Sequence, residues 1–156
     1  MMAERWRDVS DDLASSKRHF GEAVALFRRN IGKMSLAESY LEVMAFQHAM
    51  QAGYTSFESA LRRLLALLDE AMPQGPDWHA VLLRRVSEPL EGLRPAILSA
   101  SLTDPADELL RFRHVAIHSY DRFSERKAAI AVEAAETFLA LIDADIAAFR
   151  AAIDPE

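Results

Sequence analysis

The residues best suited to chemistry lie together near the end of the chain, within positions 113–120. This segment carries one guanidinium, two imidazoles and one phenol, on Arg113, His114, His118 and Tyr120. Imidazoles exchange protons near neutral pH, and a guanidinium holds a phosphate through a rigid fork of charged donors. These groups together could bind a phosphate and move a proton without a metal ion.

Three interpretations of this cluster follow from the residues alone. The histidines and the tyrosine could be partly buried bundle residues with satisfied hydrogen bonds. His114 and His118 are four residues apart, share a helix face, and could bind a metal with Asp121 as a third ligand, although two ligands do not make a site. The third interpretation is metal-free cleavage of RNA. A ribose 2′-hydroxyl would attack the adjacent phosphate while histidine moves protons and arginine stabilises the phosphoryl charge.

Helix geometry complicates the third interpretation. At about 100° per residue, Arg113 and His118 lie about 140° apart on an ideal helix, whereas Arg111 and His118 lie almost over one another. Arg113 can meet His118 at one phosphate if the helix ends near His118, or if the two groups converge across a subunit interface. Because of Arg111, the arginine partner of His118 is ambiguous. Arg111 and His114 are therefore both kept as candidate supporting residues beside Arg113 and His118.

Helices are predicted on both sides of this cluster. Apolar residues at helical spacing predict a first helix over residues 10–31 and a last helix over residues 125–152. Asp104 followed by Pro105 predicts the start of the helix that carries the cluster. No run of alternating residues is long enough to predict a strand. The sequence therefore predicts an all-α fold, an antiparallel bundle of four or five main helices in a single domain over residues 1–156.

The first half of the chain contains two capping-box patterns, at Ser35 and Glu38 and again at Thr55 and Glu58. Gly53 lies just before the second pattern. This arrangement predicts either one long helix kinked near Gly53 or two helices in close succession, and the second capping box favours a bend or break.

Other polar residues are given smaller roles. Asp77 predicts the N-cap of a short helix after a loop rich in proline and glycine. Asp69 and Glu70 form a carboxylate pair predicted on a helix, where they could face the site and orient a base but are more typical of a solvated surface. The remaining histidines and tyrosines are predicted to be structural: His19, His48, His79, Tyr40 and Tyr54.

Composition limits the classes of function. The chain has no cysteine, which excludes disulfides, thiolate metal sites and cysteine nucleophiles. No signal peptide or membrane span is apparent, so a cytoplasmic protein is expected. The net charge of −6 gives no general attraction to nucleic acid, and RNA binding would need a local basic patch. Arginines in the second half of the chain could supply that patch, although acidic residues are interleaved with them.

The order Arg113-(four residues)-His118-X-Tyr120 resembles the signature of HEPN ribonucleases. Residues 112–120, which read Phe-Arg-His-Val-Ala-Ile-His-Ser-Tyr, resemble its form in HepT toxins. The resemblance implies an all-helical, homodimeric endoribonuclease of a toxin–antitoxin module, independent of metals and cofactors, with two active sites facing each other in a cleft between subunits. It implies that Arg113 and His118 are the catalytic pair, and that a nucleotidyltransferase antitoxin adds AMP to Tyr120.

One residue departs from the family pattern, because His114 stands where a small polar amide is usual. The stretch from Asp77-Trp78-His79 to Arg94-Pro95 also resembles a HepT-like subgroup, but the sequence gives it no role. The alternative function is a non-catalytic HEPN-like module that binds a nucleotidyltransferase or a nucleotide. The acidic net charge and His114 favour this alternative.

Overall fold

The computed structural model describes residues 2–118 and 121–155 of the chain. Within these residues there are five α-helices and no strand, which confirms the predicted all-α fold. The helices are α1 (Met2–Arg29), α2 (Tyr40–Leu67), α3 (Trp78–Ser87), α4 (Ala100–His118) and α5 (Glu125–Ile153). Across this described part, none of the helices combines the length and the apolar character needed to cross a membrane.

The core is built from aromatic rings contributed by all four long helices. Phe138 of α5 lies between Phe20 of α1 and Phe57 of α2, with edge-to-face contacts at centroid distances of 5.1 and 4.9 Å. Phe46 of α2 makes a similar contact with Phe112 of α4 at 5.7 Å. Edge-to-face pairs favour defined ring orientations, so these contacts fix how the helices face one another. Phe112 thereby anchors α4, the helix that carries the chemical cluster.

The outer helices follow the predicted pattern with one change. α5 confirms the predicted last helix, and the Ser124 hydroxyl caps it by accepting the Lys127 backbone N–H at 3.3 Å. α1 begins well before the predicted residue 10, because Trp6 and Val9 continue its buried stripe toward the N-terminus. The charged residues between them hid this continuation in the sequence.

Gly53 lies inside an uninterrupted α2, so the predicted alternative of two successive helices is wrong and the single long helix is confirmed. The ring of Phe20 covers this glycine, and a Cβ placed there would lie 2.8 Å from Phe20 Cδ1. The Ser16 hydroxyl also donates to the Gly53 carbonyl at 2.7 Å. Glycine is therefore needed at this point for the close approach of α1 to α2.

The start of α2 also differs from the prediction. The Ser35 hydroxyl accepts the Glu38 backbone N–H at 3.1 Å, as in a capping box, but this contact closes an isolated turn and α2 begins only at Tyr40. Tyr40 is 60% exposed and Leu41 is 76% exposed, so the prediction that Tyr40 is a bundle residue is wrong. Tyr54 is buried, as predicted.

Arg94 organises the irregular segment between α3 and α4. Its side chain is 2% exposed, and its guanidinium donates to both carboxylate oxygens of Glu70 and to the carbonyls of Arg85, Glu88 and Pro95. Asp69 and Glu70 follow the end of α2 at Leu67, so they are not on a helix as predicted. Glu70 is an anchor for Arg94 and does not line the cleft described below.

α4 begins at Ala100, earlier than the predicted start at Asp104, and Pro105 lies inside it. The preceding Ser99 backbone N–H donates to the Asp145 carboxylate of α5 at 2.7 Å. This tertiary contact starts the helix one turn upstream of the local proline signal. Pro105 leaves the Ser101 carbonyl without its helical donor, and Ser101 is exposed, so water can serve instead.

Candidate functional site

The packing of α4 decides which of its side chains reach the surface. Residues at helical spacing turn into the core, namely Leu102, Ala106, Leu109, Phe112 and Ala116. Arg113 follows Phe112 and is half-buried at the edge of this face, whereas His114 and His118 are exposed. The core contacts of α4 therefore present the arginine and both histidines on its outer side.

A cleft of about 700 Å³ opens between α4 and the start of α3. Its wall on α4 includes Arg113, His114 and His118, and its wall on the α3 side includes Asp77 and His79. The structure thus brings the predicted arginine and both predicted histidines to one concave surface, and it adds a third histidine.

Within the described residues, Arg113 forms no ion pair, although Asp77 and Asp107 also line its cleft. Its Nε is buried without a hydrogen-bond partner. Its guanidinium lies 5.8 Å from the centroid of the Tyr54 ring, which supports it from one side. A half-buried guanidinium with unused donors at a cleft can bind an anion such as a phosphate.

Arg111 differs from Arg113 in its exposure and in its ion pairs. It is exposed and forms ion pairs with Asp107, one helical turn earlier, and with Glu108. These carboxylates hold its pKa above the usual value through a hydrogen bond and charge attraction from Asp107. Arg111 also lines the cleft, but its guanidinium is engaged by these two carboxylates, whereas Arg113 forms no ion pair within the described residues.

Arg113 and His118 lie about 140° apart on an ideal helix, but this angle does not keep their side chains out of one cleft. Both side chains line the cleft within one chain.

His114 and His118 face each other as their spacing predicted. Their ring centroids lie 4.4 Å apart at an interplanar angle of 51°. Asp121, the expected third metal ligand, lines a separate cavity of about 450 Å³ together with Tyr40 and His48. In the described part of the chain no three His, Asp or Glu residues are grouped as metal ligands. The metal interpretation therefore lacks a third ligand here.

His79 and Glu58 form a contact that the sequence did not reveal. The Glu58 side chain is 6% exposed, and its Oε2 lies 2.6 Å from His79 Nδ1. The indole of Trp78 stacks on the His79 ring at 3.7 Å between centroids, which fixes the ring from another side. The sequence did contain one indication of a polar contact at this position. Glu58 lies next to Phe57 in an apolar stripe, and a carboxylate that is buried there needs a polar partner.

Tyr54 separates Arg113 from the core as a neutral phenol. Burial raises its pKa, Glu58 raises it further by charge repulsion, and Arg113 opposes the shift. Tyr54 and Glu58 are one turn apart on α2; the Arg113 guanidinium lies over the Tyr54 ring, and His79 contacts Glu58.

Comparison with protein families identifies the class of this bundle. A family model described as HepT-like protein matches residues 45–153, a range that includes Arg113 and His118. The chain therefore belongs to the HepT-like family, which is of the HEPN ribonuclease type and is associated with toxin–antitoxin modules. Tyr120 falls in the matched range but outside the described residues. No curated protein and no solved structure matched the chain.

Proposed function

We propose that the protein is a metal-independent endoribonuclease toxin that cuts RNA in the cleft between α3 and α4. The observation that carries this proposal is Arg113, a half-buried arginine with unused donors, beside His118 at one cleft in a chain of the HepT-like family. Such a pair can bind a phosphodiester and transfer a proton next to it.

The chemistry divides between the two residues. The Arg113 guanidinium donates to the non-bridging phosphate oxygens, whose charge grows as the ribose 2′-oxygen attacks phosphorus. His118 accepts the proton of the 2′-hydroxyl. The products are a 2′,3′-cyclic phosphate on one fragment and a 5′-hydroxyl on the other. This reaction needs no cofactor, because the attacking group belongs to the substrate.

The charge distribution fits local binding of RNA. The chain carries a net charge of −6, so phosphate attraction must come from the cleft itself. Arg113 supplies a positive charge there that forms no ion pair within the described residues, and His114 and His118 add further donors when protonated. We expect weak binding to RNA away from the cleft and salt-sensitive binding within it.

The remaining features of the proposal come from the family. The active protein would be a homodimer in the cytoplasm whose two clefts face each other. An exposed apolar surface at the start of α2, formed by Tyr40 and Leu41, is available for such an interface. A nucleotidyltransferase antitoxin would neutralise the toxin by adding AMP to Tyr120. Co-expression with that partner should then add one adenylyl group to the parent protein, but none to Tyr120→Phe, as seen by mass spectrometry.

The catalytic pair is tested by RNA cleavage in EDTA. We expect Arg113→Lys and His118→Gln each to lose activity by on the order of 10²–10³-fold, because each removes one contact to the transition state. Arg111→Lys should retain most activity, since Arg111 is already occupied by Asp107 and Glu108. His19→Gln, a histidine on α1, is the matched control. A His118→Gln protein that cleaves as well as the parent would contradict the proposal.

A second candidate function is a non-catalytic module that binds a nucleotide or a nucleotidyltransferase. The cleft volume of about 700 Å³ is that of a small-molecule site, and His114 lies in it where the family usually has an amide. This candidate predicts nucleotide or partner binding that survives His118→Gln, together with no RNA cleavage by the parent protein.

A further inference from the structure

His79 is the one histidine of the cleft that is held by a buried carboxylate. Its Nδ1 is engaged by Glu58, and its ring stacks on Trp78. Because Nδ1 is occupied, Nε2 is the nitrogen left for a ligand. The side chain is 31% exposed and lines the same cleft as Arg113 and His118. An imidazole oriented in this way resembles a working acid or base more than a structural residue.

We propose that His79 is the proton donor to the leaving 5′-oxygen, with Glu58 as its positioning residue. This inference rests on the proposed ribonuclease function and assigns a proton transfer that Arg113 and His118 leave unfilled. Attack by the 2′-oxygen forms one P–O bond and breaks the bond from phosphorus to the 5′-oxygen. The 2′-hydroxyl proton passes to His118, and the 5′-oxygen receives a proton from His79 Nε2. The step is balanced and requires no oxidant or co-reactant.

The contacts of the two imidazoles differ. Glu58 Oε2 lies 2.6 Å from His79 Nδ1, so a buried carboxylate holds this ring and sets its orientation. The His118 ring contacts the His114 ring instead, at 4.4 Å between centroids. His79 is therefore the imidazole that is oriented by a carboxylate, as the proposed donor requires.

The relative position of these groups also fits one phosphodiester. Tyr54 and Glu58 lie one turn apart on α2; Arg113 lies over the first and His79 is bound to the second. Arg113 and His79 both line this cleft, so a phosphodiester bound there can contact both side chains. His118 approaches from α4, on the opposite wall of the cleft from His79.

The experiment compares two oligoribonucleotides that differ in one atom. The linkage cut by the parent protein is synthesised with either oxygen or sulfur at the 5′-bridging position. Sulfur leaves as a thiolate, which needs no proton donor because it is a far more stable anion than an alkoxide. We expect His79→Gln to lose on the order of 10²–10⁴-fold on the oxygen substrate. On the sulfur substrate it should cleave within several-fold of the parent.

Further variants distinguish a proton donor from a structural residue. His118→Gln should be slow on both substrates, because the sulfur atom does not replace the proton acceptor. Glu58→Gln should lose activity on oxygen and recover on sulfur, since it acts through His79; a purely structural role would lower both rates equally. His19→Gln should match the parent on both substrates. Circular dichroism checks that each variant is folded, and added imidazole should restore oxygen cleavage to His79→Gly.

The outcomes separate this inference from the proposed function. If the parent cleaves RNA and His79→Gln cleaves the oxygen substrate equally well, the role of His79 is wrong and the proposed function stands. If His79→Gln is slowed equally on oxygen and sulfur, it is not the proton donor. A parent protein that cuts no RNA would overturn the proposed function and this inference with it.

Discussion

The ion pair between Glu70 and Arg94 provides a sharp test of how the chain is held together. We expect Glu70→Ala to lower the free energy of unfolding by about 3 kcal/mol, since removing one partner leaves a buried charge uncompensated. The Arg94 side chain is 2% exposed, and Glu70 accepts two of its five hydrogen bonds. Three backbone carbonyls still accept from the guanidinium in the variant, which keeps the cost at the lower end of the usual range of about 3–5 kcal/mol.

The matched control is an exposed pair in the same molecule. Lys17 and Asp143 form an ion pair at 2.8 Å, with side chains that are 35% and 67% exposed. We expect Asp143→Ala to cost less than about 1 kcal/mol, because water and ions screen the pair. Replacing both buried partners, in Glu70→Ala with Arg94→Met, should recover part of the loss by removing the stranded charge.

The measurement is urea unfolding followed by far-ultraviolet circular dichroism, with all variants at one protein concentration so that subunit association does not enter the comparison. A Glu70→Ala protein as stable as Asp143→Ala would show that Glu70 does not compensate the charge of Arg94. The carboxylate would then be on the surface, as the sequence pattern favoured, and would not anchor the segment between α3 and α4.

Three further predictions follow from particular contacts. Gly53→Ala should lower the free energy of unfolding by about 1–2 kcal/mol, because the new Cβ would lie 2.8 Å from a carbon of the Phe20 ring and this overpacking outweighs the gain in helix propensity. Gly21→Ala has no atom within 4 Å of the new Cβ and should raise the free energy of unfolding by up to about 1 kcal/mol; urea unfolding measures both variants. Burial raises the pKa of Tyr54, so above about pH 10 the unfolded chain releases the phenol proton before the folded chain does, and the free energy of unfolding falls as the pH rises. Tyr54→Phe should make this fall less steep in thermal melts taken across alkaline pH, and an unchanged slope would contradict the prediction. Leu41→Glu should shift a dimer toward monomer in light scattering, whereas Leu93→Glu, at an equally exposed leucine, should not; equal effects would remove α2 from the interface.

Helical periodicity and capping predicted much of the fold because these signals are local. α5 and its Ser124 cap were predictable from residues within one or two turns of each other. Gly53 was not, because glycine gives the same signal for a break as for a close approach, and Phe20 on another helix decides between them. Likewise Ser99 meets Asp145 only in the folded chain, so the local signal at Pro105 misplaced the start of α4.

For the candidate site as well, local features were predictable from the sequence and contacts between helices were not. Arg113, His114 and His118 were found from their types and spacing, and the facing of the two histidine rings followed from helical geometry. The pairing of Arg111 with Asp107 was also predictable from the sequence, since Asp107 lies four residues before Arg111. The contact between His79 and Glu58 was not predictable from the sequence, because it joins two helices and no local pattern indicates their relative position.

We propose above that Arg113 and His118 form a site that cuts RNA by attack of the ribose 2′-oxygen. The chemical identity of the ends left on RNA by the purified protein in EDTA tests this proposal. We expect 2′,3′-cyclic phosphate and 5′-hydroxyl ends from the parent protein, and neither from the Arg113→Lys and His118→Gln proteins. Fragments with 3′-hydroxyl and 5′-phosphate ends, or the same cyclic ends in undiminished yield from either variant, would contradict it.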